Sequence, residues 1–337
     1  MDRQYARMHL REALDTLRED GFALWVGAGV SRWISEAEGQ PGVPFWRELA
    51  EILEAKVELR GLSMSINQFS LLQRLERVHR ALGFAKFQAA LRETILGRLA
   101  NSIQVASWKQ GSQGLLPIPV RARQLAKLGY LANPIVNFNV EILTSLALAC
   151  AGGPTSVKAF KHPKPTELDA SRCPRRNYPD GASETFPRHV YHPHGAIEIS
   201  GICVITETEY RSQEATLAFE LATHSAFMSN LAIVGMSLDD TYLRRQLSKF
   251  RQQVRRIFWF TNLARSQKKT NGDEIVAWAA WAGVEVVDVG SWPEFWDAVD
   301  AHLPAPSALA LLDAWKFVCN EAKRYSGRED SEEKAVH

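Results

Sequence analysis

Six stretches carry side chains whose types and spacing could do chemistry, and most follow a short apolar run. Gly27-Ala28-Gly29-Val30-Ser31 comes after Phe22 to Val26, and a second turn, Gly42-Val43-Pro44, enters Phe45-Trp46-Arg47. Ile135-Val136 runs into Asn137-Phe138-Asn139, and Val190-Tyr191 into His192-Pro193-His194-Gly195. Val204 to Tyr210 is VITETEY, and the apolar run ending at Val234 opens into Gly235-Met236-Ser237-Leu238-Asp239-Asp240. A glycine turn lets the phosphates of a dinucleotide approach the backbone, because no Cβ stands in the way. The amides of that turn and of the helix after it favour an anion. A neutral imidazole can take a hydroxyl proton near pH 7.

These residues need a scaffold that brings strand ends together. Short apolar strands at 22–26, 134–136, 202–206, 231–235, 257–261 and 284–289 alternate with helical patterns at 5–19, 45–60, 118–129, 139–149, 207–228, 239–256, 273–282 and 292–303. That alternation predicts an α/β fold, a Rossmann-like, mostly parallel sheet with helices on both faces. Polar residues at the carboxyl ends of its strands would converge on one crevice. Helical spacing through 65–100 adds an inserted helical module, about 52–130. Residues 151–187, rich in Pro, Lys, Arg, Asp and Ser, read as a loop insertion, either a cover for the site or a partner-binding or disordered segment. The catalytic domain is taken as 1–303, followed by a C-terminal helix at 304–325 and a disordered polar tail at 326–337.

The chain has 337 residues, 46% hydrophobic and 23% charged, with a formal net charge of +2. This is ordinary for a soluble globular protein and argues neither for nor against nucleic acid. No apolar stretch is long enough to cross a membrane. The charged start, MDRQYARMHLREALDTLRED, lacks a signal core, so cytoplasmic residence is expected. The cysteines Cys150, Cys173, Cys203 and Cys319 form no C-x-x-C pair. Neither a zinc ribbon nor a disulfide framework is expected.

Taken together and in this order, the motifs resemble the sirtuin (silent information regulator) family, and more closely the sirtuin-like NAD-hydrolase domains of bacterial antiphage defence systems. The similarity spans roughly residues 15–303. It implies that Gly27, Ala28, Gly29 and Ser31 hold the pyrophosphate of NAD, and that Pro44 and Trp46 stand beside the nicotinamide pocket. It implies catalytic roles for Asn137 and His194, and an adenosine-side role for Gly235 and Ser237, with Asp240 as the acidic residue after them. Asn139 stands at a cofactor-binding position where the family has Asp, a loss of charge that would bear on turnover. Cleavage of the nicotinamide–ribose bond develops an oxocarbenium-like centre, which an uncharged amide such as Asn137 can serve by positioning water without trapping the cation. No metal is expected. Protein deacylases carry paired zinc cysteines after the His-Gly turn, whereas here Cys203 stands alone.

The expected function is therefore an NAD hydrolase that releases nicotinamide and ADP-ribose and depletes NAD in abortive infection. It would be a homo-oligomer, gated by a partner such as a HerA-type hexameric ATPase or a short Argonaute. A protein deacylase, an ADP-ribosyltransferase and a non-catalytic NAD-binding scaffold are the alternatives. Local readings also stand open. Asn137 could cap the next helix, His192 rivals His194, and Asp239 and Asp240 could simply favour a helix dipole. Arg244, Arg245, Lys249, Arg251, Arg255 and Arg256 read as a solvated face or a nucleic-acid or partner surface. The aromatics Phe258-Trp259-Phe260, Trp278, Trp281, Trp292 and Trp296 read as core or subunit interface.

Overall fold

A computed structural model describes residues 9–36, 42–57, 69–108, 118–153, 155–161, 164–168, 188–200, 203–214, 229–237, 241–250, 255–263 and 272–325. The chain begins α1 (Leu10–Asp20), β1 (Phe22–Val26), α2 (Ala28–Ser35) and α3 (Trp46–Val57). A helical module follows: α4 (Leu71–Leu82), α5 (Phe84–Leu91), a π turn (Arg92–Gly97), α6 (Arg98–Trp108) and α7 (Val120–Leu131). Next come β2 (Ala132–Asn137), α8 (Leu143–Ala149), β3 (Thr155–Lys161), β4 (Lys164–Leu168), β5 (Arg188–His192), α9 (Ile197–Ser200) and α10 (Glu207–Glu214). The rest is β6 (Asn230–Val234), α11 (Thr241–Phe250), β7 (Ile257–Thr261), α12 (Gly272–Ala282), β8 (Val284–Asp288), α13 (Trp292–His302) and α14 (Ala308–Tyr325).

The strands form one sheet in the order β4-β3-β5-β2-β1-β6-β7-β8. Every neighbouring pair is parallel except β3 with β4. β1 explains why the sequence reads as it does. All five of its residues are buried. Phe22, Leu24 and Val26 enter the core on one face, while Ala23 and Trp25 enter the core on the other. A strand covered on both sides needs apolar residues at every position, hence FALWV. Helix ends are set by local chemistry. Ser70 with Gln73 and Ser291 with Glu294 form capping boxes at the starts of α4 and α13. The strand order reverses at β1, which has β2 on one side and β6 on the other, so the strand ends there open a crevice.

Three sequence expectations change. Residues 151–187 are not a loop throughout. β3 joins the parallel sheet through Thr155↔Arg188 to Ala159↔His192, and β4 closes the edge antiparallel. Backbone pairing holds these strands, and Val157 and Ala159 of β3 enter the core. Residues 169–187 lie outside the described part of the chain, as does the tail 326–337. Of the expected strand 202–206, Ile202 lies outside the described residues and 203–206 is a helix lead-in, with a bridge between Gly195 and Cys203. The amides of Ile205 and Thr206 bond Glu209 Oε2, and the Glu209 amide bonds Thr206 Oγ1, which is the T-x-x-E cap of α10. The helix expected from 139 begins at Leu143. Side chains take the amides ahead of it: Asn137 Oδ1 that of Asn139, Glu198 Oε1 that of Ile142, and Glu141 Oε2 that of Thr144.

Candidate functional site

The glycine turn after β1 packs against the glycine turn after β6. Gly27 N–H donates to the carbonyl of Val234 and Gly29 N–H to that of Gly235, at 3.1 and 3.0 Å. A Cβ on Gly29 would stand 2.8 Å from Gly235 Cα, and one on Gly235 would stand 2.7 Å from Val30 N. Gly235 also has φ +73°, which glycine adopts without strain. The glycines are thus required by the contact between the two turns. Two amides that the sequence offered to an anion are committed to the β6 end.

Beyond that contact lies a cleft lined by Ala28, Ser31, Val43, Pro44, Trp46, Leu49, Ile95, Asn139, Val140 and Glu141. Its free space is about 20 Å³, room for about one water molecule. Val43, Pro44 and Trp46 form one wall of the cleft. Contacts from α2 and α3 hold that wall. Val43 N–H donates to Ser35 Oγ at 2.7 Å, and Phe45 N–H to Glu48 Oε2 at 3.1 Å. Arg32 bonds Glu48 at 2.6 Å and stacks over the Phe45 ring, 4.4 Å from its centroid.

A closed chain of hydrogen bonds lies behind the cleft at the end of β2. Asn137 is fully buried. Its Oδ1 accepts the Asn139 amide at 2.9 Å, and its Nδ2 donates to Ser145 Oγ at 2.8 Å. Ser145 Oγ lies 2.9 Å from His192 Nε2, and His192 Nδ1 lies 3.1 Å from the Asn139 carbonyl. A carbonyl only accepts, so His192 carries its proton on Nδ1 and its Nε2 accepts from Ser145. Burial pushes the His192 imidazole down to about 4, against a small opposing effect of the Asn139 carbonyl. His194 follows β5, buried, with its ring 4.3 Å from that of Tyr210 and 5.6 Å from that of Phe138. Burial, and secondarily His192, push it down to about 3. Both imidazoles are neutral at pH 7.

A second network faces the cleft. Ser31 Oγ donates to Glu141 Oε1 at 2.6 Å and accepts from Asn139 Nδ2 at 2.7 Å and Thr144 Oγ1 at 3.0 Å. Glu141 is wholly buried. Desolvation raises its carboxyl to about 7 despite bonds from Ser31 and Thr144 that favour the ionised form. Desolvation, then the neighbouring Glu141, raises Glu198 to about 8.

Of the residues singled out in the sequence, Ala28, Ser31, Pro44, Trp46 and Asn139 meet in the cleft wall. Asn137 stands behind it, bonded to the Asn139 amide, while His194 packs against the Phe138 ring outside the cleft lining. Gly27, Gly29 and Gly235 shape the turns, and Ser237 is exposed at the β6 end. Asp239 and Asp240 lie outside the described residues. Glu141, Thr144, Ser145 and Glu198 escaped the sequence reading. Glu141 had a signal: it is the one carboxyl in the apolar stretch from Ile135 to Ala151. Among the described residues no group of three or more His, Cys, Asp or Glu could hold a metal ion. No described helix is long and apolar enough to cross a membrane.

The fold and site together define a doubly wound α/β domain with its polar residues gathered at the switch point of the sheet. Residues 158–282 match the SIR2-like domain family. The matched segment holds His192, His194, Gly235, Ser237 and Asp240, and stops short of Asn137 and the first glycine turn. No curated protein matches the chain. A solved structure from work on the mechanism and regulation of Sir2 enzymes aligns over 95% of this chain and 98% of its own, at 16% identity and a TM-score of 0.36. The fold assignment rests on the strand order above and not on that likeness.

Proposed function

We propose that this protein is an NAD glycohydrolase that cleaves the nicotinamide–ribose bond of NAD to nicotinamide and ADP-ribose. The observation that carries the reading is the cleft wall of Ala28, Ser31, Pro44, Trp46 and Asn139, backed by the Asn137–Ser145–His192 chain. The SIR2-like match over 158–282 supports an NAD-related chemistry. Ser31 and Ala28 hold the pyrophosphate, and Trp46 and Pro44 flank the nicotinamide. Asn137, its amide held at both ends behind the cleft, sets the Asn139 backbone that lines it, so its contribution is positional.

His194 accepts a ribose-hydroxyl proton. At about 3 it is a weak base in the closed site. The negative pyrophosphate raises its affinity for a proton once substrate is bound. The closed cleft fits an enzyme held inactive until triggered. Homo-oligomerisation and a defence partner, a HerA-type ATPase or a short Argonaute, would supply the trigger for NAD depletion in infected cytoplasm.

The test is chromatography of nicotinamide and ADP-ribose from NAD, with wild type and Asn137→Ala, alone and after the wall is loosened by Arg32→Ala. Nicotinamide from wild type or the loosened protein, and none when Asn137→Ala is added, is the expected result. An acyl-lysine peptide deacylated with strict dependence on NAD would replace the reading with a deacylase. Saturable NAD binding with no product in any form would replace it with a scaffold.

A further inference from the structure

Ser31 is where the cleft meets the buried network. A serine hydroxyl has one hydrogen to give and two lone pairs to receive with. All are occupied: the hydrogen goes to Glu141 Oε1, and the lone pairs receive Asn139 Nδ2 and Thr144 Oγ1. With Glu141 ionised, Ser31 has no hydrogen for a ligand. A carboxylate also stands one hydroxyl behind the turn and repels an anion.

A neutral Glu141 reverses both effects. Its Oε2 is held by the Thr144 amide at 3.0 Å, so a proton on the carboxyl sits on Oε1 and points at Ser31. The Thr144 hydroxyl bond, the longest to Ser31, gives way, and the Ser31 hydrogen turns into the cleft. We propose that Glu141 is the positioning residue for the anionic part of the ligand: a dinucleotide phosphate binds at Ser31 together with a proton taken up by Glu141. The identity of the ligand rests on the NAD reading above; the coupling to Glu141 is new to it.

The surroundings agree. Glu198 on α9, whose Oε1 holds the Ile142 amide, is the neighbouring carboxyl, and an ionised Glu141 would raise it further. Glu198 Oε2 is sealed from solvent without a hydrogen-bond partner among the described residues. Arg92 on the π turn bonds the Ile197 carbonyl at 3.1 Å and acts on Glu198. Tyr325 on α14 also feels Glu198, and burial raises its phenol. His192 and His194 stay neutral. Burial places the Glu141 proton near neutrality, where a small change in pH moves it.

The test counts protons. NAD binding is measured by calorimetry in buffers of different ionisation enthalpy, at pH 6 and pH 8, for wild type, Glu141→Gln and Glu198→Gln. Wild type is expected to take up clearly more proton per NAD at pH 8 than at pH 6, one at most, with affinity falling up to about tenfold per pH unit on the alkaline side. In Glu141→Gln the Thr144 amide fixes the carboxamide oxygen at the Oε2 place. Its NH2 then faces Ser31 as the protonated acid does. This variant should bind with no proton uptake and with wild-type pH 6 affinity at both pH values. Glu198→Gln should keep the uptake.

Uptake that survives in Glu141→Gln, or that is lost only in Glu198→Gln, overturns the inference. So does NAD binding to wild type with no proton at pH 8, a result that needs no variant to fold. Absence of NAD binding at pH 6 by both wild type and the loosened Arg32→Ala protein overturns the NAD reading itself and the inference with it.

Discussion

Ser145 Oγ stands 2.9 Å from His192 Nε2, and this contact fixes the amide of a residue neither is next to in sequence. Because His192 Nδ1 must donate to the Asn139 carbonyl, Ser145 must donate to His192 and so can only accept from Asn137 Nδ2. Asn137 Oδ1 is left to receive the Asn139 amide. Ser145→Ala breaks this ring at two points and leaves Asn137 Nδ2 and His192 Nε2 short of a buried partner. The expected loss is about 1–3 kcal/mol of stability, read from urea unfolding. Nicotinamide release should fall with it, since Asn137 is no longer held. A loss below about 0.3 kcal/mol would mean that the ring does not orient Asn137.

The buried acids and histidines set a pH profile with two limbs. His192 and His194 have folded values near 4 and 3, below the unfolded value of 6.5, so the unfolded chain binds more protons as pH falls below 6.5. Stability is lost in that direction. Glu141 and Glu198 have folded values near 7 and 8, above the unfolded value of 4.5, so the folded chain binds more protons between those limits. Their contribution is present below 4.5 and lost as pH rises through 7 to 8. Between 4.5 and 6.5 the two effects oppose each other. Denaturant midpoints should therefore be flat there, fall below pH 4.5 and fall again between pH 6.5 and 8. Glu141→Gln should flatten the alkaline limb. An unchanged alkaline limb would place the titration elsewhere.

The scaffold was legible because its signal is periodic and local. FALWV, NLAIV and IFWFT can hardly be anything but strands covered on both faces, and the turns after the first two name the crevice. β3, which falls within the expected loop 151–187, and the stretch 203–206 differ from the sequence reading because their hydrogen bonds are made to partners far along the chain or to side chains, which apolar patterning does not record. Asn137, Asn139 and Ser31 are singled out by the family resemblance, and the structure places Ser31 and Asn139 2.7 Å apart. Glu141 was passed over because a carboxyl in an apolar stretch looks like a solvent-facing interruption until Ser31, 110 positions earlier, is brought to it.

The contact between the two glycine turns makes a separate prediction. An alanine at Gly235 meets the backbone nitrogen of Val30 at 2.7 Å and must also hold φ near +73°. Neither neighbour is a flexible chain end that could swing aside. Gly235→Ala should cost about 2–4 kcal/mol, from strain together with overpacking. Gly283→Ala is the control: φ there is +71°, but nothing lies within 4 Å of the added Cβ. It should cost about 1–2 kcal/mol from the backbone alone. Equal losses at the two sites would show that the turns do not press on each other as described.

Asn139 admits the sharpest single substitution. Its Nδ2 donates to Ser31 Oγ, and an aspartate has no hydrogen to give at pH 8. Ser31 cannot answer by donating to the new carboxylate, because its own hydrogen is held by Glu141. Asn139→Asp therefore removes a bond and brings a second carboxylate to the same hydroxyl as Glu141. Like charges so close drive one of the pair to keep its proton. The variant should lose about 2–4 kcal/mol at pH 8 and clearly less at pH 5, where a shared proton restores the missing donor. Unfolding midpoints at the two pH values measure the difference. Combining it with Glu141→Gln, which removes the competing charge, should recover much of the loss at pH 8. An additive double variant would show that the carboxyls at 139 and 141 do not compete for Ser31, and the buried network would then be a packing arrangement without electrostatic coupling.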